Sequence, residues 1–249
     1  MSALDTIRNL LILGGLLSAS ACAQVAGVTG DYHEGTTDHK CVAMVGDPAK
    51  THIDDFESDT GFIDSAPLYG PWFIYADASA TCNVPGAPTI TLGPGHASGF
   101  AGEVTGSNCT IFGGGLGASF NTSRPQTAEI CTYDVSAYDG ITFYARSDYS
   151  TPAFAVVTMS NIQQVKYGGT CPDGPLCSDF YRKLIALTTA WAPYTVKFAD
   201  LRQAGFGTKV PFDPAQVIGL ELQTELATTV ATPKFHIAID DVSFTVAGH

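Results

Sequence analysis

Residues 51–59 read T-H-I-D-D-F-E-S-D, and near the other end of the chain residues 237–244 read I-A-I-D-D-V-S-F. In each stretch, apolar residues suited to a buried strand lie beside a pair of aspartates. Because burying an unpaired charge is costly, such carboxylates must be hydrogen-bonded, face water or bind a cation. If the two stretches pair as the first and last strands of one domain, their carboxylates gather in one place.

The chain between these stretches is a succession of short β patterns broken by Gly, Pro, Asn and Asp. Apolar and polar side chains alternate strictly in G-I-T-F-Y-A-R (140–146) and G-L-E-L-Q-T (219–224). Further strand patterns are W-F-I-Y (72–75), A-F-A-V-V-T-M (153–159), L-I-A-L (184–187), Y-T-V-K-F (194–198) and F-H-I-A-I (235–239). No stretch shows a helical period longer than about two turns. The sequence therefore predicts an all-β fold, an antiparallel β-sandwich with one face of each sheet buried.

The charge balance excludes one class of partner. The 249 residues include 24 Asp plus Glu against 12 Lys plus Arg, for a formal net charge of −12. An acidic chain without a cluster of Lys and Arg repels phosphate backbones, so nucleic acid is not expected as a ligand. The length allows one large all-β domain with a substantial core.

The N-terminus carries the pattern of a signal peptide over residues 1–21. Arg8 precedes the apolar run L-L-I-L-G-G-L-L (10–17), and small residues follow at 19–21. The apolar run is too short to span a bilayer and is typical of the hydrophobic region of a secretory signal. We therefore predict export.

Cys22 directly follows the small residues, which resembles the lipidation site of a bacterial lipoprotein, although Ala19 stands where such sites usually have Leu. The alternative cleavage site follows Ala23. Lipidation of Cys22 predicts an outer-membrane or cell-surface lipoprotein, attached to the membrane only through that anchor; cleavage after Ala23 predicts a periplasmic or secreted protein. Residues 22–50 are predicted to be a tether and irregular lead, and residues 51–246 the folded domain.

Seven cysteines favour an oxidising compartment. Either cleavage route removes Cys22 from pairing, and the remaining six fit three disulfides. No C-x-x-C or Cys/His cluster with zinc-ligand spacing occurs in the sequence. Six cysteines allow 15 connectivities. The turn T-C-P-D-G-P-L-C (170–177) predicts one pair, and two others are expected: the pairs are Cys171–Cys177, Cys109–Cys131 and Cys41–Cys82.

Common enzyme signatures are absent from the sequence. It contains no G-x-S-x-G, H-E-x-x-H or G-x-x-x-x-G-K-[ST] motif. The glycine run 113–117 lacks the lysine of a phosphate-binding loop, so we interpret these glycines as allowing strands to approach closely. The sequence therefore predicts no catalytic residues.

The two aspartate pairs, 54–55 and 240–241, admit three interpretations. Paired carboxylates hydrolyse glycosidic bonds when one acts as an acid and the other as a nucleophile or base. They also cap strand ends or face water without a function. Hard oxygens converging from two strands, together with backbone carbonyls, suit a calcium ion, which is the interpretation that the chemistry favours.

Aromatic residues near strands form a second set of candidates. Sugars stack their C–H faces on aromatic rings, so Trp72 and Tyr75 in Y-G-P-W-F-I-Y-A-D (69–77) could bind a glycan. Core packing is the equal alternative for these two residues. Tyr144 and Arg146 alternate with apolar neighbours and should face away from the core. The long loop 163–180, with its predicted disulfide, could wall a binding face or merely decorate the surface.

Taken together, five stretches resemble the galactose-binding-like jelly rolls, and in particular the family-eleven carbohydrate-binding modules. These stretches are I-D-D-F-E (53–57), Y-D-V-S-A-Y-D-G-I-T-F-Y-A-R-S (133–147), W-A-P-Y-T-V-K-F-A-D-L-R-Q-A-G-F-G (191–207), F-D-P-A-Q-V-I-G-L-E-L-Q (212–223) and I-D-D-V-S-F (239–244). They are also similar to secreted bacterial lipoproteins that carry such a domain alone. The resemblance covers residues 51–246.

The resemblance implies a jelly roll without covalent chemistry, a structural calcium ion and a concave sheet face that holds polysaccharide. It implies calcium ligands at Asp55, Glu57 and Asp240. The strands of the concave face carry Tyr144, Arg146, Arg182, Glu221 and Gln223.

We therefore expect a monomeric, non-catalytic module that binds carbohydrate or another ligand of the cell envelope. Two alternatives remain. A structural or adhesive protein that binds a protein partner would pack its aromatic residues inward. A carbohydrate-active hydrolase would need two carboxylates about 5 to 10 Å apart across an open cleft.

Overall fold

The structure is a computed structural model, and it describes residues 41–63, 65–123, 129–149, 152–172, 174–225 and 234–248. The predicted signal peptide 1–21, the predicted lipidation site Cys22 and most of the lead 22–50 lie outside the described residues. No helix within the described ranges is long and apolar enough to cross a membrane.

Fourteen strands and three short 3-10 helices make up the described chain. The 3-10 helices are Val165–Tyr167, Phe198–Asp200 and Pro214–Gln216. The strands are β1 Met44–Val45, β2 His52–Asp54, β3 Phe62–Ile63, β4 Gly70–Ala76, β5 Thr91–Pro94, β6 Phe100–Ser107, β7 Gly114–Ser119, β8 Tyr133–Asp134, β9 Gly140–Arg146, β10 Pro152–Met159, β11 Tyr181–Ala186, β12 Ala192–Lys197, β13 Val217–Thr224 and β14 Lys234–Thr245.

Twelve of these strands form two six-stranded sheets that share one core. The front sheet has the order β11-β10-β13-β7-β4-β3, and the back sheet has the order β12-β9-β14-β6-β5, with β2 also paired to β14. Every pairing within the two sheets is antiparallel. The short strands β1 and β8 form a separate parallel pair. The predicted all-β, antiparallel sandwich is confirmed.

The core consists of the inward side chains of both sheets, in the alternation that the sequence predicts. Ile141 and Phe143 of the back sheet and Leu220 and Leu222 of the front sheet are buried and belong to one cluster. Each fully buried side chain of this kind contributes roughly 1.5–3 kcal/mol relative to an exposed one. The polar partners in 140–146 and 219–224 therefore point outward, where they are available for contacts at the surface.

The strand that begins the predicted domain, β2, lies beside the last strand, β14, as predicted. Asp54 of β2 is opposite Val242 of β14, and the register shifts at the next residue. This pairing brings the two aspartate-rich stretches to the same region of the back sheet. The apolar residues Ile53 and Phe56 are buried in the core, so the carboxylates do not prevent the strands from packing.

The glycine run proves to be part of a central strand. β7 lies between β13 and β4 in the middle of the front sheet, and all six of its residues are buried. A Cβ added at Gly117 would lie 2.9 Å from the carbonyl oxygen of Leu220 and 2.9 Å from Cζ of Phe73. Close approach between strands is therefore confirmed as the use of these glycines.

The described residues contain three disulfides, and one of them has the predicted partners. Cys171 pairs with Cys177, as expected from the turn between them. The predictions Cys109–Cys131 and Cys41–Cys82 are wrong, because the other two pairs are Cys41–Cys131 and Cys82–Cys109. The pair Cys82–Cys109 follows the sheet order: Asn83 is bridged to Ser107 at the end of β6, which brings the neighbouring cysteines together.

Candidate functional site

The outer side of the front sheet carries the candidate site, which we call the front face. Strand pairing places its outward side chains in two rows that cross five strands. The first row is Leu184, Phe154, Gln223, Gly115 and Tyr75, and the second is Arg182, Val156, Glu221, Gly117 and Phe73. Four of the predicted ligand-binding residues, Tyr75, Arg182, Glu221 and Gln223, are therefore brought together on this face.

Two aromatic rings of β4 lean over the glycines of β7. A Cβ at Gly115 would lie 2.7 Å from Oη of Tyr75, and one at Gly117 would lie 2.9 Å from Cζ of Phe73. The ring centroids of Phe73 and Tyr75 are 6.2 Å apart, and that of Phe112 is 6.4 Å from Tyr75. Because β7 has no side chains here, the rings reach the centre of the face.

Glu221 forms the polar centre of the front face. Its Oε2 accepts a hydrogen bond of 2.9 Å from the Tyr75 hydroxyl. Burial raises the pKa of the Glu221 carboxyl to about 7, and the hydrogen bond from Tyr75 lowers it only in part. Burial and the neighbouring Glu221 raise the pKa of the Tyr75 hydroxyl well above 10.0. A partly protonated carboxyl near neutral pH can both donate and accept hydrogen bonds.

Arg182 lies on the other side of this centre, against aromatic rings. Its Cζ is 4.6 Å from the ring centroid of Phe154 and 6.0 Å from that of Phe206. Within the described ranges its guanidinium has no carboxylate partner, whereas Arg146 contacts both Glu103 and Asp148. Stacking fixes the orientation of the guanidinium and leaves its N–H groups available.

Trp72, a predicted ligand-binding residue, belongs to the core instead. It is 3% exposed, and its Nε1 donates a hydrogen bond of 2.5 Å to Oδ2 of the buried Asp54. The prediction that Trp72 contacts a ligand is wrong, because the inward phase of β4 includes Trp72 and Ile74. Phe73, which alternates with them, points to the front face.

Tyr144 and Arg146 face outward as predicted, but they lie on the back sheet and not on the front sheet. Both lie on β9 of the back sheet, on the opposite side of the sandwich from Glu221. The Tyr144 ring stacks on His96 at a centroid distance of 3.6 Å, and the Arg146 guanidinium lies 5.5 Å from the Trp191 ring centroid. Their assignment to the same face as Arg182 is therefore wrong.

The predicted calcium ligands accept hydrogen bonds in the structure. Asp240 is 0% exposed and accepts bonds from the N–H of His96 (2.7 Å), the hydroxyl of Ser98 (3.0 Å) and the N–H of Asp241 (2.8 Å). Burial raises the pKa of Asp240. Glu57 binds the N–H of Phe100 at 2.8 Å.

The donor chemistry of Asp55, Glu57 and Asp240 suits calcium, but their oxygens do not form a converging set. Within the described ranges, one group of three or more His, Cys, Asp or Glu has ligand atoms all within 4.8 Å of one another; it is Asp77, Cys82 and Cys109. Its two cysteines form a disulfide. Calcium at the Asp240 edge therefore stays a prediction.

Sequence reasoning missed four aromatic residues of the front face. Phe73 and Phe154 lie in strands that the sequence does predict, and the alternation within each strand gave the signal that could have identified them. Phe112 and Phe206 are on loops, 39% and 55% exposed. No local pattern in the sequence connects either loop to the front sheet.

Comparisons with known proteins agree with the architecture. No family model matches the chain, and no curated protein matches it either. Among solved structures, the family 11 carbohydrate-binding module from Clostridium thermocellum in complex with a β-1,3-1,4-mixed-linked tetrasaccharide has 14% identity and a TM-score of 0.50, over 79% of this chain and 95% of that one. The family 11 module of cellulosomal cellulase Lic26A-Cel5E from the same organism has 16% identity and a TM-score of 0.49, over 79% and 94%. The chain therefore shares the jelly-roll β-sandwich fold of the family 11 carbohydrate-binding modules.

Proposed function

We propose that the front face binds a carbohydrate chain without catalysis. The observation that carries the proposal is the flanking of a polar centre, Glu221 and Gln223, by aromatic rings on both sides. Phe73 and Tyr75 lie on one side and Phe154 on the other. Rings offer surfaces for the C–H faces of sugars, and carboxyl and amide groups bind their hydroxyls.

The extent of the front face favours an extended ligand. Its rows run across the strands from β11 to β4, which is four strand spacings or about 19 Å. A single sugar ring would contact only part of such a row, whereas a polysaccharide chain crosses the whole of it. The oligosaccharide bound by the solved family 11 module supports this ligand class.

Two further observations separate this proposal from the alternatives. Glu221 is the one carboxylate in the two described rows, whereas glycoside hydrolysis uses a facing pair. Phe73, Tyr75 and Phe154 point outward, whereas a protein-binding role predicted inward aromatics. We further propose that the module is an exported monomer anchored through Cys22, which agrees with its three disulfides.

Truncating the ring of Tyr75 tests the proposal. The Tyr75→Ala variant should bind its polysaccharide about two- to tenfold more weakly, because one aromatic contact contributes roughly 0.5–1.5 kcal/mol. Titration calorimetry against a panel of neutral and uronic-acid polysaccharides measures the affinity. Tyr144→Ala, on the back sheet, is the matched control and should bind like wild type. Binding that is lost in Tyr144→Ala and kept in Tyr75→Ala would move the site to the back sheet; no binding by wild type would end the proposal.

The calcium prediction concerns stability. We propose a structural calcium ion at the edge of the back sheet that carries Asp55, Glu57 and Asp240. Because their oxygens do not converge in the structure, the ion would have to draw them together, and it would bind the folded chain and not the unfolded one. At about one hundred times its dissociation constant it adds about 2.7 kcal/mol to the free energy of unfolding. We expect excess Ca²⁺ to raise the melting midpoint, a chelator to lower it, and Asp240→Asn to abolish the difference. Identical midpoints with calcium and with chelator contradict the prediction.

A further inference from the structure

Two buried aspartates each hold a loop beside the front face. Asp77 follows β4 and is 5% exposed. Its Oδ2 accepts hydrogen bonds from the N–H groups of Ile111 (2.8 Å), Phe112 (3.0 Å) and Gly113 (2.9 Å). Three consecutive backbone donors thus converge on one carboxylate oxygen, which fixes the path of the loop that carries Phe112.

Asp179 does the same for the second loop. It precedes β11 and is 1% exposed. Its Oδ1 accepts a bond from the N–H of Ala204 (2.9 Å), and its Oδ2 accepts bonds from Gly205 (2.8 Å) and Gly207 (3.1 Å). The loop turns at Gly205, whose φ of +94° suits glycine, and it presents Phe206 to solvent.

Neither carboxylate is compensated by a cation within the described ranges, and both are almost fully buried. Burying a carboxylate without a counter-ion is costly unless hydrogen bonds replace its hydration. At Asp77, burial raises the pKa, but the hydrogen bonds from Ser79, Gly113 and Ile111 outweigh it and lower the pKa to about 2. The loop N–H groups therefore stabilise a buried charge. If the loop moved away, the carboxylate would be buried without these hydrogen bonds, which is unfavourable.

The two loops lie at opposite ends of the front face. The Phe112 ring is 6.4 Å from that of Tyr75 on β4, and the Phe206 ring is 6.0 Å from Cζ of Arg182 on β11. These strands are four spacings apart in the sheet, or about 19 Å. Both rings are substantially exposed, so neither is held by core packing.

We propose that Asp77 and Asp179 are positioning residues that fix Phe112 and Phe206 as the two end walls of the carbohydrate-binding face. The inference rests on the proposed function of that face. The proposal predicts that a carbohydrate contacts both the Phe112 and the Phe206 ring, and binds more tightly as a result, only when it is long enough to span the front face. Affinity should therefore increase with the number of sugar units in the ligand, and each aspartate should affect the contacts at one end of the front face.

Amide hydrogen exchange of the whole protein tests the positioning role without any ligand. In Asp77→Asn, exchange at residues 111–113 should rise about tenfold or more, because bonds to a charged acceptor contribute roughly 1.5–3 kcal/mol. The loop at 204–207 should not change, and Asp179→Asn should show the converse. Asp134→Asn is the matched control, since its carboxylate accepts one turn N–H, from Ser136, outside the front sheet. Unaltered exchange in a variant's own loop overturns the proposal.

Calorimetry with cello-, xylo-, manno- and galacto-oligosaccharides, from disaccharides to hexasaccharides, tests the length dependence. The affinity for the longest binder should fall about two- to tenfold in Asp77→Asn and in Phe112→Ala, with disaccharide affinity unchanged. Phe112→Ala and Phe206→Ala leave both aspartates in place, so they measure how each ring affects the length dependence of affinity even if an aspartate variant fails to fold. An equal loss at every length overturns the end-wall role. A wild-type protein that binds neither these oligosaccharides nor any member of the polysaccharide panel overturns the proposed function, and the exchange experiment still decides whether the aspartates hold the loops.

Discussion

Replacing both Cys41 and Cys131 with serine is expected to lower the free energy of unfolding by about 4.6 kcal/mol. A disulfide lowers the conformational entropy of the unfolded chain, and this effect grows with the number of residues that the bridge encloses. This bridge joins residues 90 apart. The same relation gives about 3.6 kcal/mol for Cys82–Cys109, which are 27 apart. It gives about 2.2 kcal/mol for Cys171–Cys177, which are 6 apart.

Local packing reinforces this expectation for the Cys41–Cys131 bridge. The strand next to Cys41, β1, is two residues long; Val42 before it is 69% exposed and Val45 within it is 70% exposed. The segment is also held by its pairing with β8, by the partly buried Met44 and by Asn121, whose Nδ2 donates to the carbonyl of Val42 at 2.7 Å. Little apolar burial is available to replace the covalent link.

Urea unfolding of the three double-serine variants measures the order of the effects. We expect the Cys41/Cys131 variant to be the least stable and the Cys171/Cys177 variant to be closest to wild type. The latter is the matched control, because it removes a bridge from the same chain while closing only a short turn. A Cys171/Cys177 variant as unstable as the Cys41/Cys131 variant would contradict the entropic explanation.

The sequence predicted the fold because alternation reports burial within a strand. In 140–146 and 219–224, the phase of the apolar residues gave the correct inward and outward sides. The same reasoning does not give the sheet to which a strand belongs. Tyr144 and Glu221 both point outward, yet their strands lie in different sheets, because that choice is made by pairings between segments far apart in the sequence.

The candidate site was predictable only in part for the same reason. Tyr75, Glu221 and Gln223 were identified as polar or aromatic residues on strands, and the structure brings them together. The link between them, β7, has low intrinsic strand preference because of its glycines, and tertiary packing overrides that preference. Asp77 and Asp179 were not identified either, because the loops that they hold are distant in sequence.

Glu221 should make stability fall as pH rises through the neutral range. Its pKa is 4.5 in an ordinary environment and is raised to about 7 by burial in the folded chain. Below pH 4.5 the carboxyl is protonated in both states, so its contribution to stability is fully present. As pH rises through about 7, the unfolded chain releases the proton more readily than the folded one. This difference lowers the free energy of unfolding by up to about 3 kcal/mol.

Urea unfolding of wild type and Glu221→Gln across this range of pH measures the effect. The variant cannot ionise at this position, so its stability should change less between pH 4.5 and about 7, and it should be the more stable protein at the upper end. Glu225→Gln is the matched control, because Glu225 is an exposed carboxyl just past the end of the same strand, and it should follow the wild-type curve.

Asp77 affects stability in a separate, acidic range of pH. Its pKa is lowered to about 2, so its contribution to stability is lost only as pH falls below 3.8.

The Tyr75→Phe variant tests whether the hydrogen bond from Tyr75 affects the pH dependence that we assign to Glu221. The hydroxyl of Tyr75 donates to the carboxylate and lowers its pKa, so removing the hydroxyl should raise the pKa of Glu221 further. The loss of stability should then extend to higher pH than in wild type, while the phenylalanine ring still covers Gly115. If Glu221→Gln keeps the wild-type slope, the pH dependence comes from another group and Glu221 is not the buried acid of the front face. If Glu221→Gln removes the slope but Tyr75→Phe and wild type give the same curve, Glu221 is the titrating group and the Tyr75 hydroxyl does not lower its pKa.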